Sequence, residues 1–193
     1  MSQIALSDLN SASFDDFVAV LENVVEYSPW IAQEAAARRP FAGINPLLDA
    51  IKAAIASAEP EVQLALIRAH PDLANKTQRA AGLTPDSSAE QNSAGLDRLS
   101  NAEYAAFERA NNAYREKFGI PYIVCARRQT RDSILRDFER RLPNDAKTET
   151  QVSISEIYRI AALRVDQLVT ADDKLAVHGR RSTHVLEIGR AHV

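Results

Sequence analysis

The chain has 193 residues, 46% hydrophobic and 25% charged, which gives enough apolar surface for one sizeable core and too much for a disordered polymer. A net charge of -3, with no Lys/Arg block standing apart from neighbouring acids, argues against a nucleic-acid partner, and no run nears the roughly 18 apolar residues of a membrane span. The lone Cys125 excludes a disulfide framework and a multi-cysteine metal site, and the N-terminal MSQIALSDLNSASFDDF lacks the basic start and apolar core of an export signal, so a cytoplasmic protein without membrane contact is expected.

Phe14, Phe17, Val18, Leu21, Val24 and Val25 recur at helical spacing behind Ser13 and Asp16, which have the form of a capping box; a first helix is expected over 14–25. Ser28-Pro29 starts a second, which stops before Pro40, and Asn45-Pro46 starts a third that runs to about Ala58. Pro60 opens a fourth through Leu64, Ile67 and His70, ended by Pro71.

The stretch from Asn75 to Ser88 reads as a loop, followed by a short helix begun by Ser87 or Ser88. Ser100 with Glu103 caps a helix carrying Tyr104, Phe107, Tyr114 and Phe118, and Gly119 ends it. IPYIVCA then reads as extended, and two helices close the series: Thr130 to Leu142, with Leu135, Phe138 and Leu142 on one stripe, and Asp145 to Thr170. These elements predict an all-α fold, a single compact domain of about eight helices.

Three residues stand out chemically. His70 lies at a helix end with Asp72 two positions on, a placement that suits a general acid or base and equally suits a histidine stabilised by the helix dipole. Glu90 follows Ser87 by three residues, so capping alone accounts for it. Arg164 shares a stripe with Ile157, Ile160, Ala161 and Leu168. A guanidinium there needs an internal carboxylate such as Glu90 or a ligand anion, unless its stem covers the stripe while its head reaches water.

The histidines at 70, 178, 184 and 192 show no metal-ligand spacing, and neither a phosphate-binding glycine loop nor a G-x-S-x-G elbow occurs. No metal and no nucleotide cofactor are expected from these patterns. Cys125 has the form of a nucleophile in principle, but a small core residue fits its apolar setting better. The residues by themselves define a helical domain with a candidate His, Glu and Arg and no named substrate.

Four segments, EYSPWIAQEAAARRPF (26–41), HPDLA (70–74), SSAEQNSAGL (87–96) and FGIPYIVCAR (118–127), together resemble the 2-oxo-4-hydroxy-4-carboxy-5-ureidoimidazoline (OHCU) decarboxylase family. The likeness continues through RRLPNDAKTETQVSISEIYRIAALRVDQL (140–168) and STHVL (182–186), nearly the whole chain. It implies a cofactor-free carboxy-lyase of urate breakdown that converts OHCU to (S)-allantoin and CO2, and a homodimer. It further implies His70 as catalytic acid, Glu90 as its acidic companion and Arg164 as the contact for the substrate carboxylate. Pro71, Ser87, Ser88, Ala89, Gln91, Tyr122, Ile123, Val124, Cys125 and Ala126 would line the pocket.

Tyr122 stands where the family commonly has phenylalanine and Asn23 where it often has glycine, and of these only Tyr122 is expected near the pocket. The ending EIGRAHV departs from the family and reads like a translated adapter, so the domain is expected over 1–186 with 187–193 as a non-native tail. Two other readings stay open: a non-catalytic helical interaction module, and a hydrolase of another ureido or cyclic-amide compound using the same His and Glu.

Overall fold

The computed structural model describes residues 3–74 and 83–172. Among these are nine α-helices: α1 (Leu6–Ser11), α2 (Phe14–Leu21), α3 (Pro29–Ala36), α4 (Ile44–Ser57), α5 (Pro60–Arg68), α6 (Pro85–Ser93), α7 (Asn101–Phe118), α8 (Arg131–Arg141) and α9 (Ala146–Leu168). The only described strands are the two-residue β1 (Ile4–Ala5) and β2 (Val169–Thr170), paired in parallel with Ile4 opposite Val169. The all-helical expectation holds. None of the described helices is long and apolar enough to cross a membrane.

The described residues divide into two compact units, one holding 3–60 and 158–172, the other 61–74 and 83–157. In the first, α2 packs on α3 and α3 on α4. Phe17, Leu21, Ile31, Ala35, Leu47, Ile51 and Ile55 are buried there, each large side chain contributing about 1.5–3 kcal/mol. Phe17 stacks with Phe41 and carries the Arg39 guanidinium 4.7 Å above its ring.

Three boundaries in this unit differ from the sequence expectation. Helix α1 was not foreseen; it has six residues and no side-chain cap, so neither periodicity nor a cap marks it. The helix expected over 14–25 ends at Leu21, and Val24 and Val25 reach the core from the turns that follow. Helix α4 begins at Ile44 behind Gly43, so Asn45 and Pro46 fall inside its first turn, where a missing N–H costs nothing.

In the second unit the ends of α7 are those expected. Ser100 and Glu103 form a reciprocal capping box on α7, and Gly119 closes that helix at φ 67. Thr130 caps α8 by accepting the Ser133 N–H at 3.2 Å, and Asp145 caps α9 by accepting that of Thr148 at 2.8 Å. Those hydrogen bonds hold the Glu103 and Asp145 carboxyls below their ordinary titration range.

The buried stripe of α8 is Ile134, Phe138 and Arg141, not Leu135 and Leu142, which are half-buried. Phe138 stacks on Tyr122 with ring centroids 3.6 Å apart, and Tyr114 meets Tyr122 edge-on at 5.3 Å. Residues 121–125 form neither helix nor strand, and Cys125, with an extended backbone, leads into a 3-10 turn at Ala126–Arg128. Helix α9 stops at Leu168, two residues short of the expected end, where the backbone passes into β2.

Candidate active site

His70 sits just past α5. Its own N–H closes the last turn on the Ile67 carbonyl at 3.1 Å, and Pro71, with no N–H to give, prevents another. The helix proper ends at Arg68, two residues before the expected end. The imidazole is buried, with Nδ1 2.9 Å from the Leu66 carbonyl. A carbonyl only accepts, so Nδ1 carries the proton and Nε2 is the nitrogen at which protonation varies.

Asp72, expected beside the imidazole, takes Arg115 in a forked pair, with Nε 3.0 Å from both carboxylate oxygens and Nη2 2.9 Å from Oδ1. Leu73 and Ala74 follow, both buried. Ala74 has φ 54, a left-handed conformation uncommon for a residue with a Cβ.

Glu90 does not cap α6. Thr84 does, accepting the Ser87 N–H at 3.2 Å, with Pro85 next to it in the first turn. Ser87 therefore lies inside the helix, and the expected Ser-x-x-Glu cap is overturned. Glu90 is one turn further on, buried, with Arg127 Nε 3.8 Å from Oε1. That separation is an ion pair beyond hydrogen-bond reach. Gln91 is buried beside it and accepts the Ala74 N–H at 3.2 Å through Oε1. This contact ties α6 to the HPDLA segment.

The other expected lining residues fall into two groups. Pro71 and Ser88 are half-buried and Ala89 is exposed, while Tyr122, Ile123, Val124, Cys125 and Ala126 are all buried. The 122–126 segment is held by its backbone: Arg141 donates to the Ile123 carbonyl at 2.7 Å, and the Cys125 N–H donates to Glu156 at 2.9 Å. Tyr122 turns its ring into the aromatic core and donates its hydroxyl to Asp137.

Arg164 belongs to the first unit and is 5% exposed. Its Nη2 lies 3.3 Å from Glu26, itself buried, and Nη1 donates to the Asn23 carbonyl at 3.2 Å. A head reaching water is thereby ruled out. Asn23, the departure expected to lie away from the reacting groups, touches Arg164 through its backbone, a contact insensitive to the side chain at that position.

A model of the OHCU decarboxylase family matches residues 10–166. A 2-oxo-4-hydroxy-4-carboxy-5-ureidoimidazoline decarboxylase of Haloferax volcanii is 37% identical over 172 residues, covering 89% of this chain and 100% of that one. The chain belongs to the OHCU decarboxylase family. The fold of an (S)-allantoin synthase crystal structure agrees with TM-score 0.69 at 24% identity over 88% of this chain, which spans 55% of that longer one. An OHCU decarboxylase crystallised in the presence of (S)-allantoin agrees with TM-score 0.61 at 19% identity, covering 79% of this chain and 96% of that one.

For this family member, the sequence reading passed over Asn111, Arg115, Arg127, Arg141, Glu149 and Glu156. Arg141 was legible by the reasoning applied to Arg164, since it lies three residues from Phe138 on the buried stripe of α8. Among the described residues no group of three or more His, Cys, Asp or Glu side chains could hold a metal ion. His178, His184, His192 and the tail at 187–193 lie outside the described residues.

Proposed function

We propose that this protein decarboxylates OHCU to (S)-allantoin and CO2 in urate degradation, as a cytoplasmic homodimer that uses no cofactor. The observation that carries the reading is the family match over residues 10–166, joined to 37% identity along the full length of a named decarboxylase. The HPDLA, EQ and LR motifs all fall within the matched span.

The substrate's carboxyl carbon is bonded to a ring carbon that also bears a hydroxyl and adjoins a C=N bond. When that C–C bond breaks, its electron pair forms a new ring double bond and the C=N pair moves onto nitrogen, so the ring supplies the electron sink. That nitrogen takes up a proton, and a second goes to one face of the ureido-bearing carbon as the hydroxyl gives up its own and becomes a carbonyl. The protein must hold the carboxylate, move protons and choose the face.

In this proposal Arg164 contacts the carboxylate, whose planar fork matches a guanidinium. His70 transfers the proton through Nε2, with Glu90 as its acidic companion. Groups of this kind contribute about 10²–10⁴-fold. Pro71, the 87–91 segment and the 122–126 segment wall off water.

Product analysis separates this from hydrolysis by the same His and Glu. With substrate labelled at the exocyclic carboxyl carbon, decarboxylation releases all the label as CO2, one per allantoin. Label retained in a ring-opened acid would establish the hydrolase instead.

A further inference from the structure

Three consecutive residues after His70 and Pro71 are each held by a side chain from another helix. Arg115 grips the Asp72 carboxylate, its Nη2 at 2.9 Å; Asn111 Nδ2 donates to the Leu73 carbonyl at 2.8 Å; Gln91 Oε1 accepts the Ala74 N–H at 3.2 Å. Asn111 and Arg115 are four positions apart on α7 and so share one face. The turn they hold ends in the left-handed Ala74, a strained backbone that persists only where its surroundings over-determine it.

Stability alone accounts poorly for these two side chains. Asn111 is 7% exposed, and its Oδ1 accepts no hydrogen bond from the described residues, a cost that an apolar residue of similar size would avoid. The Arg115 side chain is 42% exposed, where an ion pair adds little to stability. What both contacts do fix is backbone position. From the other side, His70 is tethered by Nδ1 to the Leu66 carbonyl at 2.9 Å. The imidazole is thus set between a helix end and a clamped turn.

We infer that Asn111 and Arg115 are positioning residues for the reaction, fixing the Asp72–Ala74 turn and through it the direction in which His70 presents Nε2. The inference rests on the reading of His70 as the proton-transfer group. Neither residue is asked to touch substrate, so their effect falls on turnover more than on binding.

The test measures kcat and KM for Asn111→Leu, Arg115→Met and Arg115→Lys, with His70→Asn as reference and circular dichroism to confirm folding. Asn111→Leu and Arg115→Met are expected to lower kcat about tenfold or more, as small misplacements of a reacting group do, with KM changed much less. Arg115→Lys, which keeps the charge on Asp72, is expected to restore a substantial part. Should Asn111→Leu not fold, the half-exposed Arg115 pair still decides. Folded Asn111→Leu and Arg115→Met variants with wild-type kcat beside an inactive His70→Asn would overturn the inference alone. Turnover retained in His70→Asn would remove the reading beneath it.

Discussion

Arg141 and Glu149 face each other at 2.9 Å with side chains 1% and 0% exposed, the most buried ion pair among the described residues. Tyr114 donates to the same carboxylate, Asn144 bonds its second oxygen, and Arg141 reaches on to the Ile123 carbonyl. Burial opposes charge on Arg141, but Tyr114 and Glu149 more than offset it and hold the guanidinium pKa above its usual value. The pair therefore ties α8 and α9 to the 122–126 segment.

Removing one partner leaves the other charged, buried and unmatched, which costs about 3–5 kcal/mol. Arg141→Met and Glu149→Gln are each expected to lower denaturant-derived stability by that order. The double variant should lose much less than the sum, because neither charge is then stranded. Additive losses in this cycle would refute the coupling.

Alkaline pH should unfold the second unit through its tyrosines. Burial, joined by Glu149 at Tyr114 and by Asp137 at Tyr122, raises both hydroxyls well above their ordinary value of 10.0. The folded state keeps protons that the unfolded state releases, so stability is fully present below pH 10 and falls as pH rises beyond it. Tyr122→Phe is expected to shift the alkaline unfolding midpoint upward relative to its own stability at pH 7. An unchanged alkaline limb in that variant would contradict the assignment.

At acid pH the sign reverses. The Glu103 and Asp145 carboxyls titrate lower when folded, because each accepts hydrogen bonds at a helix start. Their contribution is present above the ordinary carboxylate range and is lost as pH falls through the lowered folded values. Asp145→Asn should therefore flatten the fall of melting temperature below about pH 4. An acid limb as steep as in the wild type would count against it.

Arg164 separates binding from structure. Arg164→Lys keeps a charge beside Glu26 but loses the planar fork, so it is expected to raise KM about tenfold or more, the worth of a charge-assisted contact of about 1.5–3 kcal/mol. A normal KM with reduced stability would make Arg164 purely the structural partner of Glu26.

Local signals were the legible ones. Ser100, Thr130, Asp145 and Gly119 act at helix ends as their types require, because a cap is decided by three or four neighbouring residues. Thr84-Pro85 offered the same signal as Ser28-Pro29, but Ser87 with Glu90 competed for it, and the start of α6 was placed too late. Glu26 lies 138 positions from Arg164, and no periodicity links residues so far apart. The stacking of Tyr122 on Phe138 and its hydrogen bond to Asp137 likewise join residues that no local pattern pairs. His70, Glu90 and Arg164 stood out by position and motif; the partners of Glu90 and Arg164 belong to tertiary structure.

The central claim is a handed decarboxylation in which His70 moves the proton. The most direct measurement generates OHCU in situ from urate with the two preceding activities, adds this protein, and follows the circular dichroism of allantoin as it forms. A rapid signal of the (S) hand with the wild-type chain, reduced to the slow racemic background by a folded His70→Asn variant, is the predicted result. No handed signal from folded wild-type protein would contradict the decarboxylase reading, and an undiminished one from His70→Asn would contradict the role given to His70.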